Sequence, residues 1–421
     1  MDTINVDTGE MGAGTKELSG SEHPLITKNT IFSRLFVGEW REWGHAFGAI
    51  APLYIAVHVA SFVITCLSVL FLQKDFAWGS ASLRTLERYW LRWDANHFTF
   101  ITVNGYDTPM RTAFFPLYPL LARVVMFVTH NALVATMIVS NLALLVVFMV
   151  LYRLTQEEID AEHAQRAVLY LALFPTAFFL QAAYNESLFL CFTLLCFYEL
   201  RHGNWWLAGL YGGLASLTRS AGVLLVLPFC YEYLVQRDFQ WRAIRWNVLA
   251  VALIPLGTAL FAAYCAIRFH DPLAFSHAQS DWNRALHGPW HGIIISIKSI
   301  VTSAGLLSFQ SLRNFTDLIP DLLIMVLLLL SFVGPWRFTY RRWSYGIYAL
   351  ALLILFLIFP NGGVGFYPLE STSRFMLEIF PAFFILAKLG RYRMVHLNYV
   401  FVSGAVLFFL LTQFLTGHWV L

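Results

Sequence analysis

Asp94 stands between Trp93 and Ala95 in a polar, aromatic-rich segment, residues 90–119, of a chain otherwise suited to lipid. Arg92 and His97 flank it. A carboxylate so placed suits general-base work, because partial desolvation raises its pKa while nearby cations restrain it. The competing reading is a juxtamembrane loop whose Trp90 and Trp93 anchor at headgroup depth. Glu186 follows a long apolar run that ends Ala183-Tyr184-Asn185. There a carboxylate either helps cap the next helix, through Asn185 or Glu186, or holds a sugar hydroxyl. Arg219 interrupts an apolar stretch, residues 205–227, where an ionisable group is costly and faces a protein interior or a wet cavity. Its partner is an acid, Glu186 being the candidate, or a ligand. Arg374 follows Ser371-Thr372-Ser373 at the opening of a helix, where backbone donors and a guanidinium together suit a phosphate; otherwise it is a snorkelling arginine.

These groups must be positioned by membrane helices. Of 421 residues, 58% are hydrophobic and 13% charged, against about 25% charged in soluble domains. Net charge is +3 and dispersed, which offers no footprint for nucleic acid. The five cysteines lie in apolar runs and read as small core hydrophobes. Histidines 97, 277, 287 and 291 form no HExxH or compact carboxylate–histidine spacing, so no metal site is expected, and GxxxxGK[ST] is absent.

A bilayer core wants roughly 20 apolar residues per helix. Runs of that kind lie near 48–72, 131–152, 167–184, 246–268, 316–335, 343–360, 374–389 and 397–416. The stretch 187–235 divides into three short helices, 187–200, 205–217 and 221–235, at Arg201-His202-Gly203-Asn204 and Thr218-Arg219-Ser220. The expected fold is therefore all-α, a polytopic membrane protein of about 11 transmembrane helices. The stretches 113–128 and 291–308 carry Pro116, Pro119, Arg123 and Lys298 and are expected as interfacial helices in the outer loops. Residues 1–45 read as a flexible cytoplasmic tail, residues 46–421 as the membrane domain, and residues 73–130 as its first external loop. No basic n-region precedes a cleavable apolar run, so the first span is expected to be a permanent anchor.

With the N-terminus in the cytoplasm, Arg237, Arg242, Arg245, Arg337, Arg341, Arg342, Arg391 and Arg393 all fall inside, as the positive-inside rule asks. The segments around Asp94, Glu186, Arg219 and Arg374, and the loop 271–284, then share the extracytoplasmic side.

Several pieces in this order resemble the PIG-V family of mannosyltransferases. They are Arg92-Trp93-Asp94-Ala95-Asn96-His97-Phe98, Ala113-Phe114-Phe115-Pro116-Leu117-Tyr118-Pro119, Phe174-Pro175-Thr176, Tyr184-Asn185-Glu186-Ser187, Gly212-Gly213 leading to Thr218-Arg219, Asp271-Pro272-Leu273, and Arg374-Phe375. Two positions depart: Asn185, where relatives commonly carry Thr or Ser, and Ser220, where Pro is frequent. The resemblance implies a GT-C membrane glycosyltransferase moving a hexose, mannose first, from a polyprenyl-phosphate donor to a glycolipid or protein acceptor at the extracytoplasmic face. It places the base, an aspartate of the first external loop, at Asp94.

A glycosyl phosphate has a good leaving group, so the enzyme needs a base on the acceptor, cations on the departing phosphate and a greasy groove. On that scheme Asp94 is the base, Arg219 and Arg374 hold the phosphate, and His97, Glu186, Gln279 and Trp282 line the sugar site. Direct displacement inverts the anomeric carbon. No cofactor is expected beyond the donor, with a divalent metal left open. The rival reading, a secondary transporter or lipid flippase, would place carboxylates near the midplane between repeated halves.

Overall fold

The computed structural model describes residues 28–72, 83–362 and 367–418, and these are helical apart from turns and one isolated antiparallel bridge, Arg284 with Asn361. Residues 1–45 separate from a compact unit, residues 46–421. Helix α1 (Lys28–Leu72) begins inside the segment expected as a tail. Residues 1–27 of that segment lie outside the described residues, as do residues 73–82 of the segment expected as the first external loop. The rest of that segment holds α2 (Leu83–Arg88), α3 (Asp94–Asn104) and α4 (Leu117–Thr129). Next come α5 (Ala132–Glu158), α6 (Ala161–Ala172), α7 (Glu186–Arg201), α8 (Trp205–Thr218), α9 (Val226–Val235) and α10 (Leu253–Phe269). The chain continues through α11 (Ala274–His277), α12 (His291–Val301), α13 (Phe309–Phe332), α14 (Trp343–Leu357), α15 (Thr372–Phe375), α16 (Pro381–Leu389) and α17 (Arg393–Leu415).

Among the described residues, Trp40–Ser68, Ala132–Glu158, Trp246–Phe269, Phe309–Phe332 and Arg393–Leu415 are long and apolar enough to cross a membrane. Two expected spans are not single helices. The run 167–184 stops at Ala172, since Pro175 disfavours helical backbone in the residue before it, and resumes only as the 3-10 turn Ala177–Leu180. The run 374–389 divides into α15, the 3-10 turn Met376–Glu378 and α16, which Pro381 opens without an N–H to lose. Helices α4 and α12 are shorter than the roughly 20 residues a crossing needs. Helix α4 leaves Leu120, Val124, Phe127 and Val128 exposed. All five cysteines are free thiols, and the reading of each as core fails at Cys230, which is exposed.

Helix α7 is the central strut, with most of its residues buried. Glycines let α8 touch α10 and the 3-10 turn before it backbone to backbone: a Cβ on Gly257 would lie 2.2 Å from the Gly213 carbonyl oxygen, and one on Gly209 2.2 Å from that of Ala250 in the turn Trp246–Ala252. Close approach through small residues is how helices associate in lipid. It fixes the C-terminal end of α8, where Arg219 sits. At the far end of α7, Arg201 bonds Glu158 (2.6 Å) and Glu232 (2.7 Å), and Glu158 bonds Arg342 (2.6 Å), tying the ends of α5, α7, α9 and α14 together. Glu186 and Arg201 stand at opposite ends of α7, about 22 Å apart at 1.5 Å per residue.

Candidate active site

Asp94 is the first residue of α3, and the chain turns sharply to present it. Trp93, immediately before, adopts φ +43, a region costly for a bulky side chain. Packing over-determines that turn. Trp90 and Trp93 lie with ring centroids 6.0 and 5.2 Å from Phe414 of α17, and Arg92 Nη2 donates to the Leu415 carbonyl at 2.9 Å. Two other charged positions follow the same kind of backbone: Asn283 (φ +53) precedes Arg284, and Ser371 (φ +70) opens the segment that carries Arg374.

Arg374 Nη1 donates to Asp94 Oδ2 at 2.6 Å and lies 3.7 Å from Glu186 Oε1. Arg219 Nη1 lies 3.3 Å from that same Glu186 oxygen and also bonds Glu378. Two guanidiniums and three carboxylates thus form one chain of charge, Asp94–Arg374–Glu186–Arg219–Glu378. Such a cluster tolerates burial because each ion has a counter-ion. Three atoms in it remain buried without a hydrogen-bond partner: Glu186 Oε2, Glu378 Oε2 and Arg374 Nε. Asn185 does not cap α7; its Nδ2 donates instead to the Thr218 carbonyl at 2.8 Å, clamping the turn ahead of Arg219.

The Arg374 segment is held from behind by two acids of α13. Asp317 Oδ1 accepts from Ser373 Oγ at 2.7 Å, and Asp321 Oδ2 accepts from Thr372 Oγ1 at 2.6 Å. On its other side Thr176 Oγ1 donates to the Ser373 carbonyl at 3.0 Å. Every one of these groups is buried.

Four of the five charges in that chain, all but Glu378, face a cavity of about 560 Å³. Asp94, Glu186, Arg219, Arg374, Gln279 and Trp282 all line it, so six of the seven expected site residues share one space. His97 does not line it. Its ring stacks on Phe114 at 4.8 Å and meets Trp282 edge-on at 5.5 Å, one layer behind the wall. Burial, aided by Arg111, lowers the His97 pKa against the pull of Asp94, so the imidazole is neutral at pH 7. His277 lines the mouth, paired at 2.7 Å with Asp271, whose carboxyl that hydrogen bond holds below the usual carboxylate range. Among the described residues no three His, Cys, Asp or Glu side chains gather as a metal-ligand set.

Four participants escaped the sequence reading. Glu378, the second partner of Arg219, lies within a run taken as one apolar helix. Asp317 and Asp321 lie in another such run, where two acids four residues apart on α13 were the available signal. Arg284 closes the loop 271–284 and lines the same cavity. Loss of water, followed by the nearby Arg374 charge, pushes its guanidinium down to about 10.

The family model described as mannosyltransferase (PIG-V) matches residues 65–339. The chain belongs to the PIG-V mannosyltransferase family. It is 29% identical over 290 residues to the GPI alpha-1,6-mannosyltransferase 2 of Rattus norvegicus, covering 58% of each chain. With the Cricetulus griseus protein of the same name it shares 33% over 148 residues, 32% of this chain and 30% of that one. The chain therefore spans under two thirds of these PIG-V relatives. Among solved structures it is similar to ArnT from Cupriavidus metallidurans, at TM-score 0.44 and 16% identity, over 81% of this chain and 60% of that one.

Proposed function

We propose that this PIG-V family member is a membrane glycosyltransferase that moves a hexose, mannose first, from a polyprenyl-phosphate carrier to an acceptor hydroxyl with inversion. The observation that carries this reading is the cavity wall on which Asp94 meets Arg374 at 2.6 Å, beside Glu186 and Arg219. Asp94 takes the acceptor proton. Its Oδ2 is engaged by Arg374, and Oδ1 has no hydrogen-bond partner among the described residues, which suits it to receive that proton. Glu186 lines the sugar site with its carboxylate held between Arg219 and Arg374, while Gln279 and Trp282 supply the polar and flat contacts. Arg219 and Arg374 balance charge as the phosphate departs. The cation wall makes a metal unnecessary on this scheme, and the acceptor is a glycolipid or protein hydroxyl.

The cavity is placed on the extracytoplasmic face, with the N-terminus in the cytoplasm. Supporting this is the separation along α7: the cavity acids lie at one end, while Arg201, Arg341 and Arg342 gather at the other, where the positive-inside rule wants them. Family membership favours transfer chemistry over a transporter or flippase.

The test is incubation of the purified protein with a panel of polyprenyl-phosphate sugars. Release of polyprenyl phosphate from at least one, mannosyl first, is the expected result. No release from any member, with a range of glycolipid and peptide acceptors supplied, would overturn the reading.

A further inference from the structure

Three arginines line the cavity, and their states differ. Arg374 is bonded to Asp94, and Arg219 to Glu186 and Glu378. Arg284 has no carboxylate within salt-bridge range among the described residues. Its Nη1 donates to the Phe359 carbonyl and its Nη2 to the Glu370 carbonyl, both at 3.2 Å. The acid nearest in sequence to those contacts, Glu370, is taken by Arg313 at 2.8 Å and by Asn361. Two of the five donors of Arg284 are thereby used, and its charge is not offset.

An anion entering this space meets Arg219 and Arg374 as members of near-neutral pairs. It meets Arg284 as a net cation. A guanidinium held half-buried and without a counter-ion is costly unless a ligand supplies the missing charge. The surrounding backbone holds it in place despite that cost. Asn283 adopts φ +53, residue 284 bridges Asn361, the Gly362 N–H donates to the Asn283 carbonyl at 2.7 Å, and the His287 N–H donates to the Ile358 carbonyl at 2.8 Å. The guanidinium also lies 5.6 Å over the ring of Phe375, the neighbour of Arg374. The loop that delivers Arg284 is thus tied to the segment that ends α14.

We infer that Arg284 is the primary docking group for the phosphate of the lipid-linked donor, holding it through planar, charge-assisted hydrogen bonds beside the Arg374 segment. This rests on the reading of the cavity as a prenyl-phosphate sugar site and assigns the phosphate contact within it to a residue outside the motifs that mark the family resemblance. Arg219 and Arg374 then keep their carboxylates in the resting enzyme and respond only as charge develops. The bound group is a phosphate ester on a lipid, and the prenyl carrier rather than a phospholipid acceptor is its source.

Binding of sugar-free polyprenyl phosphate to the purified full-length protein, followed by quenching of Trp282 and neighbouring tryptophan fluorescence, tests this. Polyprenol and phosphatidylinositol are the comparison lipids. Wild type is expected to bind polyprenyl phosphate and to ignore polyprenol. Arg284→Gln should weaken that binding roughly 10- to 100-fold, the loss of a charged hydrogen-bonding partner. Arg284→Lys, which keeps charge but not the planar fork, should fall between, and it carries the test if the Gln variant fails to fold. Binding by Arg284→Gln equal to wild type overturns the role of Arg284 alone. Arg284-dependent binding of phosphatidylinositol in place of polyprenyl phosphate overturns the assignment to the donor. Failure of wild type to bind polyprenyl phosphate at all removes the underlying site reading, and the inference with it.

Discussion

Arg374 donates to Asp94 Oδ2 at 2.6 Å across 280 residues of sequence, joining the start of α3 to a segment just ahead of α16. The contact fixes the orientation of the carboxylate proposed as base. It also makes the active geometry depend on whatever holds Arg374.

That support is the pair of α13 acids. In a double-mutant cycle, Thr372→Val and Asp321→Leu should show a coupling of about 1–3 kcal/mol in melting stability, the worth of a buried hydrogen bond to a charged or desolvated partner. Asp317→Leu should lower turnover about tenfold, because Ser373 Oγ loses its acceptor and Arg374 its register. Additive cycle energies would show that the acids do not grip the segment.

Arg219 neutralises two buried carboxylates, Glu186 and Glu378, with side-chain exposures of 2% and 0%. Arg219→Ala strands both and should destabilise the protein by about 3–5 kcal/mol, read as a fall in melting temperature in detergent. Pairing it with Glu378→Gln should recover part of that loss. An unchanged melting temperature in the single variant would remove Arg219 from the network.

Gly257→Ala drives a Cβ to 2.2 Å from the Gly213 carbonyl and should cost about 1–3 kcal/mol by overpacking, whereas Gly404→Ala, with nothing within 4 Å, should not. Thermal melts of the two variants side by side decide it. Equal melts would mean that α8 and α10 are not in backbone contact.

His97 has a pKa lowered by burial, so the folded state prefers the neutral ring. The unfolded chain takes up the proton first, near pH 6.5. Stability from this group is therefore present above that pH and is lost as pH falls below it. His97→Phe keeps the stack on Phe114 and should flatten the decline in melting temperature between pH 7 and pH 5. A decline as steep as wild type would place the acid sensitivity elsewhere.

The groups legible in the sequence were those that contradict their surroundings. Arg219 interrupts an apolar stretch, and Asp94 sits in a polar island between spans, so lipid itself marks them as needing a partner. Glu378 was hidden because Leu377 and Ile379 flank it and the run read as one helix; only the Pro381 start of α16 shows that it lies in a turn. Arg284 was hidden for the opposite reason, since an arginine in a polar loop is unremarkable until a bridge to Asn361 brings that loop over the cavity. The break within 167–184 is hidden likewise: Pro175 is visible, but the hydropathy of the run reads as one helix.

If Asp94 removes the proton from the acceptor hydroxyl, as proposed, the turnover of Asp94 variants must report it. With polyprenyl-phosphate mannose and saturating acceptor, Asp94→Asn should lower the rate by about 10²- to 10⁴-fold with donor affinity little changed, the usual contribution of a positioned base. Asp94→Glu, displaced by one methylene, should fall between the two. Transfer at the wild-type rate by a folded Asp94→Asn protein would mean that Asp94 is not the base and pass that role to another carboxylate of the cavity.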